Sequence, residues 1–361
     1  MNFLKKLFGI KPRTMTSAEF WDWFQTKEKA FHHVVKNQGD VEGQFLNVIS
    51  PKLAGLRDGY FCLIGMLDPD TVELVITADG IVKEFVFVEE LVEAAPSIKG
   101  WKFTAHKPAH DIADLGVKVH GFEFNKENLR FEPIVSSLRP DEIEITVIHP
   151  AFNDDNRNEI SNGVYIFLDA FLGEINFATT IDHLNIESKG NTNELVPIDK
   201  LKDYLIWRQK EFIEKYDGVR FNTESDNYSG FEAMLENGNP LVAIMNTELL
   251  KWDRKASHPW ILKIEIEYTG SGNGMPDSIT FDLMNEFEDA LIAELRDSEG
   301  YLNVGRQTAD GSREIYFACK DFRKSSKVAS DMIAKYSDRL KISFEIYKDK
   351  YWRTFERYVN S

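Results

Sequence analysis

The sequence predicts an α+β protein, and three observations predict it. Strand-length runs alternate apolar and polar residues. Neighbouring runs are often joined by tight turn signals such as Asn237-Gly238-Asn239 and Asp310-Gly311. Longer stretches between them repeat their apolar residues at helical spacing. At 361 residues the chain is too long for one ordinary core, so two or three modules are expected.

The first helix is expected after Thr16. Thr16 and Glu19 have capping-box spacing, and Phe20, Trp21, Trp23, Phe24 and Phe31 follow at helical intervals. Asp40 is expected to cap a second helix carrying Phe45, Leu46, Ile49 and Leu53. Runs 60–67 and 71–77 flank Asp68-Pro69-Asp70, whose proline fixes φ at the turn, and read as a hairpin. A helix over 81–95, stopped before Pro96, leads to a strand over 101–106.

Three alternating runs, 119–124, 129–135 and 142–148, read as a β-meander. Asp154 and Asp155 open a helix with Ile160, Val164, Phe167, Leu168, Phe171 and Leu172 on one stripe, where their charge suits the positive helix end. Pro197 starts a helix through about residue 216, and the polar run 217–230 marks a boundary.

Beyond it, runs 231–236 and 241–247 form a hairpin about Asn237-Gly238-Asn239. Strand 261–268, helix 277–296, strands 301–307 and 313–319, helix 323–336 and strand 340–347 then give the order β-α-β-β-α-β. That is a ferredoxin-like plait, with both helices on one face of an antiparallel sheet. The expected organisation is a basic amphipathic segment over 1–15, an α+β module over 16–116, a meander with helices over 117–220 and the plait domain over 221–361. Gly59-Tyr60 and Gly300-Tyr301 each precede a hairpin, a helix and a strand, a faint internal echo on which no function is built.

The formal charge is −16, from 43 Lys and Arg against 59 Asp and Glu, which disfavours nucleic acid and favours a basic protein partner. Cys62 and Cys319 both fall in apolar strand-like runs. They read as reduced core thiols, which points to a cytoplasmic setting. No apolar run reaches membrane-spanning length. Residues 1–13 alternate Phe3, Leu4, Leu7, Phe8 and Ile10 with four basic residues, a short stretch that would hold a membrane surface only weakly.

Each arrangement able to carry chemistry has a plainer reading. The loop Gly270-Ser271-Gly272-Asn273-Gly274 precedes a helix as a phosphate loop does, yet lacks the Gly-Lys-Ser/Thr ending and places Asp277 where an anion would sit. His106, His110, Asp111, Asp114 and His120 are the densest group of metal-ligand types, but Pro108 breaks the helical spacing that would converge them. His32 and His33 are adjacent on a helix and are expected to face different sides. Glu286, Glu288, Asp289, Glu294 and Asp297 read as a solvated face. No metal and no cofactor is expected.

The best binding candidates are Arg306, Arg313 and Glu314, which flank the Asp310-Gly311 hairpin. Arginine suits bidentate recognition of a carboxylate, and an internal cross-strand salt bridge is the plain alternative. Trp260 and Trp352 join them as interface anchors, with aromatic core as their more usual role.

The C-terminal part resembles the bacterial domain-of-unknown-function family 695. The resemblance runs through Pro259-Trp260-Ile261-Leu262, Gly274-Met275-Pro276, Glu288-Asp289, Gly305-Arg306, residues 311–316 and Asp349-Lys350-Tyr351-Trp352. The N-terminal part is similar to the region accompanying this domain in Bacteroidetes-like proteins, through Gly59-Tyr60-Phe61, residues 87–92, Gly100-Trp101-Lys102-Phe103 and residues 168–174. The resemblance implies no reaction. It implies an association with modules similar to the regulator of ribonuclease E activity, type B, a small acidic inhibitor that binds a nuclease. A non-catalytic protein-binding or regulatory role is therefore expected first, and an enzyme with a site formed between the N-terminal and C-terminal modules second.

Overall fold

The structure, a computed structural model, describes residues 15–191 and 194–359. The basic amphipathic segment over 1–13 lies outside the described residues. The fold is mixed α+β with several small sheets. Two compact units emerge, residues 1–109 with 173–175, and residues 110–172 with 176–361. Among the described residues no helix is long and apolar enough to cross a membrane.

In the first unit, α1 (Ser17–Gln25) starts at the capping box: Thr16 Oγ1 accepts the Glu19 N–H while the Glu19 carboxylate accepts that of Thr16. Next come α2 (Glu28–Lys36) and a helix that begins with a π-helical turn, Glu42–Leu46, and continues as α3 (Asn47–Leu56). Hairpin strands β1 (Phe61–Met66) and β2 (Val72–Thr77) pair antiparallel, and after α4 (Phe85–Glu93) the chain returns as β3 (Trp101–Ala105), parallel to β2. Phe20, Phe24, Phe31 and Phe45 are buried, with Phe24 edge-on to Trp101.

The second unit opens with a correction to the expected meander. Residues 119–124 do not form one strand. His120 and Gly121 both take positive φ, 50° and 84°, and turn β4 (Val117–Val119) back on β5 (Phe122–Phe124) as a separate two-stranded ribbon. The sheet proper holds β6 (Arg130–Ile134), β7 (Glu144–Ile148), β8 (His183–Glu187) and β9 (Val196–Pro197) in the order β8-β7-β6-β9, with β8 parallel to β7. Helix α5 (Arg157–Leu172) buries Ile160, Val164, Phe167, Leu168 and Phe171 in its core, and α7 (Leu201–Tyr216) adds Leu201 and Leu205. Between these helices come α6 (Glu174–Thr180) and β8, neither of which the sequence reading placed.

The six-stranded sheet of this unit contains β10 (Tyr228–Met234), β11 (Pro240–Asn246), β12 (Trp260–Glu267), β13 (Tyr301–Ala309), β14 (Ser312–Cys319) and β15 (Lys341–Lys348), in the order β10-β11-β13-β14-β12-β15, every neighbouring pair antiparallel. A short α8 (Thr247–Lys251) follows β11. Helices α9 (Ser278–Glu294) and α10 (Phe322–Tyr336) connect β12 to β13 and β14 to β15, and α11 (Glu356–Val359) is the last described element. On the face holding Leu262, Ile264 and Phe317 lie α9 and α10, the latter through Phe322, Ala329 and Met332. The opposite face packs Ile261, Tyr316, Ala318, Val304 and Met245 against Trp352, Phe355 and Tyr358.

The middle and C-terminal segments meet inside this unit through a buried ionic cluster. Asp182, 7% exposed, takes Lys348 and Lys350 at 2.8 Å each. Asp141 takes Lys215 at 2.7 Å and the hydroxyls of Tyr216 and Tyr351 at 2.9 and 2.8 Å.

Candidate functional site

Two arginines build the site. Side chains on a strand alternate faces, so Arg306 and Thr308 on β13 and Arg313 on β14 point to the helix side of the sheet. Ile244 and Val242 of β11, the register partners of Arg306 and Thr308, share that side. On this side of the sheet α9 brings Phe281 and Ile292 beside the β10–β11 hairpin, where Ile244 lies. A groove of about 340 Å³ results, walled by Val242, Ile244, Met275, Pro276, Phe281, Arg306, Thr308 and Arg313. A smaller recess of about 170 Å³ shares Ile244 and Arg306 and reaches Tyr228, Glu288 and Ile292. Tyr228, Met234, Phe281 and Ile292 are exposed large apolar residues on these elements.

The electrostatics of the two arginines differ. Arg306 is neutralised by Glu288 at 2.6 Å. Arg313 is only 1% exposed, and its partners are neutral: Nε donates to Thr308 Oγ1 at 3.1 Å and Nη1 to Asn285 Oδ1 at 2.8 Å, with the guanidinium 4.9 Å from the Phe281 ring centroid. Among the described residues no carboxylate lies within ion-pair distance of it, and Nη2 makes no hydrogen bond. Burial, then repulsion from Arg306, pushes its pKa down to about 10. The Glu288 charge offsets part of this through space, and a buried cation hydrogen-bonded only to neutral groups is still costly and attracts an anion.

Local geometry fixes this arrangement. Gly305 sits at a β-bulge with φ 140°, and a Cβ there would lie 2.3 Å from the Ile244 carbonyl oxygen, so glycine lets β11 approach β13. The loop 270–274 anchors the mouth: Gly311 N–H donates to Gly274 O at 2.9 Å, and Gly274 packs against Asp310 where a Cβ would clash at 2.9 Å. Asp277 caps α9 by accepting the Thr280 N–H at 2.7 Å, so the helix end above this loop is already supplied with a carboxylate.

The other expected residues fall elsewhere. Glu314, one position from Arg313, lies on the opposite face, where it takes Lys263 at 2.8 Å and the Tyr316 hydroxyl at 2.7 Å. The expected cross-strand Arg–Glu bridge is replaced by a strand-to-helix pair, Arg306 with Glu288. Glu288 is thereby 5% exposed rather than part of a solvated face. Trp260 packs on Phe322, and Trp352 is 1% exposed with its indole N–H on the His258 carbonyl; both are core. Asn285, Thr308 and Phe281 were not singled out from sequence, since an amide, a hydroxyl and a ring carry no motif there.

His106 lies in the first unit's core, 3.4 Å from Glu89 and 3.6 Å from Glu174, while His120 is exposed at its turn. Among the described residues no group of three or more metal-ligand side chains converges. His32 and His33 both border one shallow depression, His32 Nε2 lying 3.1 Å from the Asp70 carbonyl oxygen and the His33 ring beside the Asn37 amide. The depression's cations are offset by Glu28 and Asp70, and Lys36 pairs with Asp70 at 2.9 Å. Burial pushes the Lys348 pKa down to about 8, but its ammonium is occupied by Asp182 and the carbonyls of Thr179 and Thr180. Burial likewise pushes the thiols of Cys62 and Cys319 up to about 11 and 12.

Residues 232–359 match the model of a family described as a family of unknown function, DUF695. The DUF695 match opens inside β10 and closes in α11, so the groove and both arginines fall within it. No curated protein and no solved structure matches the chain.

Proposed function

We propose that this chain is a non-catalytic binding protein and that the groove beside α9 in its DUF695 region is the ligand site. The observation that carries the reading is Arg313, a buried guanidinium with neutral partners that opens onto an apolar cavity. Small-molecule sites have this composition, apolar walls with a few placed polar groups, and start near this size, roughly 300 Å³. A ferredoxin-like plait for β12 to β15 is supported by the order β15-β12-β14-β13 and by α9 and α10 as the two crossovers. On that plait the β10–β11 hairpin is an addition, and the added sheet face is the groove floor.

The test is a fragment screen on the full chain by saturation-transfer NMR, repeated on Val242→Trp, whose large ring fills the groove. Fragments that bind the native chain, lose binding in the variant and are recovered chemically unchanged support the reading. Hits indifferent to Val242→Trp, or fragments converted to product, overturn it.

A further inference from the structure

We infer that the ligand is a small apolar monocarboxylate, its carboxylate on Arg313 and its tail along Val242, Ile244, Met275, Pro276 and Phe281. This rests on the groove being a binding site and adds what it binds.

Charge decides the head group. Arg306 and Arg313 supply two positive charges, and Glu288, bound to Arg306 at 2.6 Å, removes one. The exposed Asp289 beside the smaller recess is in contact with solvent and screened. One positive charge thus remains in a poorly solvated pocket. A monoanion balances it, whereas a phosphate monoester or a dicarboxylate would leave a second negative charge desolvated next to Glu288.

Geometry favours the carboxylate among monoanions. Nε and Nη1 of Arg313 are already committed to Thr308 and Asn285, so the guanidinium plane is fixed and Nη2 is left as the donor toward the groove. Arg306, in the same wall, supplies a second donor group. The walls favour a free acid over the C-terminus of a peptide. A peptide would carry several N–H and C=O groups past Val242, Ile244, Pro276 and Phe281, which offer them no side-chain partners.

Calorimetric titration of the full chain with octanoate, octanol, octylamine, octyl phosphate, suberate and an N-acetylated tripeptide ending in leucine tests this. Octanoate should bind at least about tenfold more tightly than each of the others, the difference expected of one charge-assisted hydrogen-bonded pair. Asn285→Asp gives the decisive contrast, because it places a carboxylate on Arg313 Nη1 without altering the apolar walls. It should raise the melting temperature while weakening octanoate about tenfold or more and leaving octanol unchanged. Arg313→Lys, which keeps the charge but not the fork, should also weaken octanoate.

Equal binding of octanol and octanoate, preference for octyl phosphate or the peptide, or unchanged octanoate affinity in Asn285→Asp overturns the inference. Each of those results leaves the groove itself standing as long as Val242→Trp still abolishes fragment binding. Absence of binding by every probe also overturns the inference, and the fragment screen then judges the groove separately.

Discussion

Glu174 is 1% exposed yet accepts hydrogen bonds from the Thr77 hydroxyl at 2.6 Å and from the backbone N–H groups of Gly80 and Lys107 at 2.9 and 3.0 Å. Burial raises the pKa of this carboxyl, but the nearby His106 ring and those donors outweigh it and hold it at about 2. The ionised form is therefore bound more strongly by the folded chain. Above the ordinary carboxyl range, near 4.5, this stabilisation is fully present. As the pH falls below that range the unfolded chain takes up the proton first, and the advantage is gone once the pH passes about 2. Glu174→Gln should cost roughly 3 kcal/mol at pH 7, the equivalent of that pKa difference. Denaturant titrations at pH 7, 4 and 2.5 should show the gap between native and variant closing with acid, and a gap independent of pH would refute the assignment.

His258 is set the opposite way in charge. Burial first, then Lys320 and Arg220, lowers its pKa to about 4, so the folded chain holds the neutral ring with Nδ1 beside the Ser257 hydroxyl at 2.8 Å. Its contribution is whole above the ordinary histidine pKa of about 6.5 and declines as the pH falls from there toward 4. In NMR titrations its ring resonances should stay in the neutral form at pH 5.5, where an exposed histidine is mostly protonated.

At the scale of elements, the β10–β11 hairpin depends on Gly305. Gly305→Ala would add a methyl against the Ile244 carbonyl at a φ of 140°, and strain of this kind costs on the order of 1–3 kcal/mol. Hydrogen exchange should accelerate first in residues 228–246 while β12, β14 and β15 keep their protection. Uniform acceleration across the sheet would mean that β11 is not docked through this glycine. Asp277→Ala, which removes the cap of α9, should cost about 1 kcal/mol in the same measurements.

Elements of this region were legible because each carried its own punctuation. The run from Leu262 to Glu267 alternates apolar and polar residues, and Asp310-Gly311 takes positive φ at both positions as a tight hairpin requires. Residues 119–124 misled because their alternation continues across His120-Gly121, so the turn sits inside an apparent strand. β8 was missed because His183–Glu187 is only partly buried and has weak contrast between its faces. For the site, the alternation of strand faces already separates Arg313 from Glu314. The Arg306–Glu288 pair depends on where α9 packs, and strand periodicity carries no information about that.

Over the whole molecule, Asp182 is the residue on which the second unit's four-stranded and six-stranded sheets depend together. It pairs with Lys348 at the end of β15 and with Lys350 just beyond it, and also accepts the Ile143 N–H at 2.6 Å. Asp182→Ala strands two buried ammonium groups, a change worth roughly 3–5 kcal/mol. Replacing both lysines by methionine in the same chain should restore most of the loss, since an apolar contact of similar volume is often as stable as a buried ion pair. If the triple variant is no more stable than Asp182→Ala in equilibrium denaturation, the ion pairs are not what couples the sheets.

The same carboxylate bears on how far a family boundary can be trusted as a folding boundary. Cutting the chain at residue 232 would sever β10 partway along its length and strip Lys348 and Lys350 of Asp141 and Asp182. The excised segment would expose two bare amines on a surface made to be covered. The inherited piece of sequence is thus smaller than the piece of matter that holds its shape.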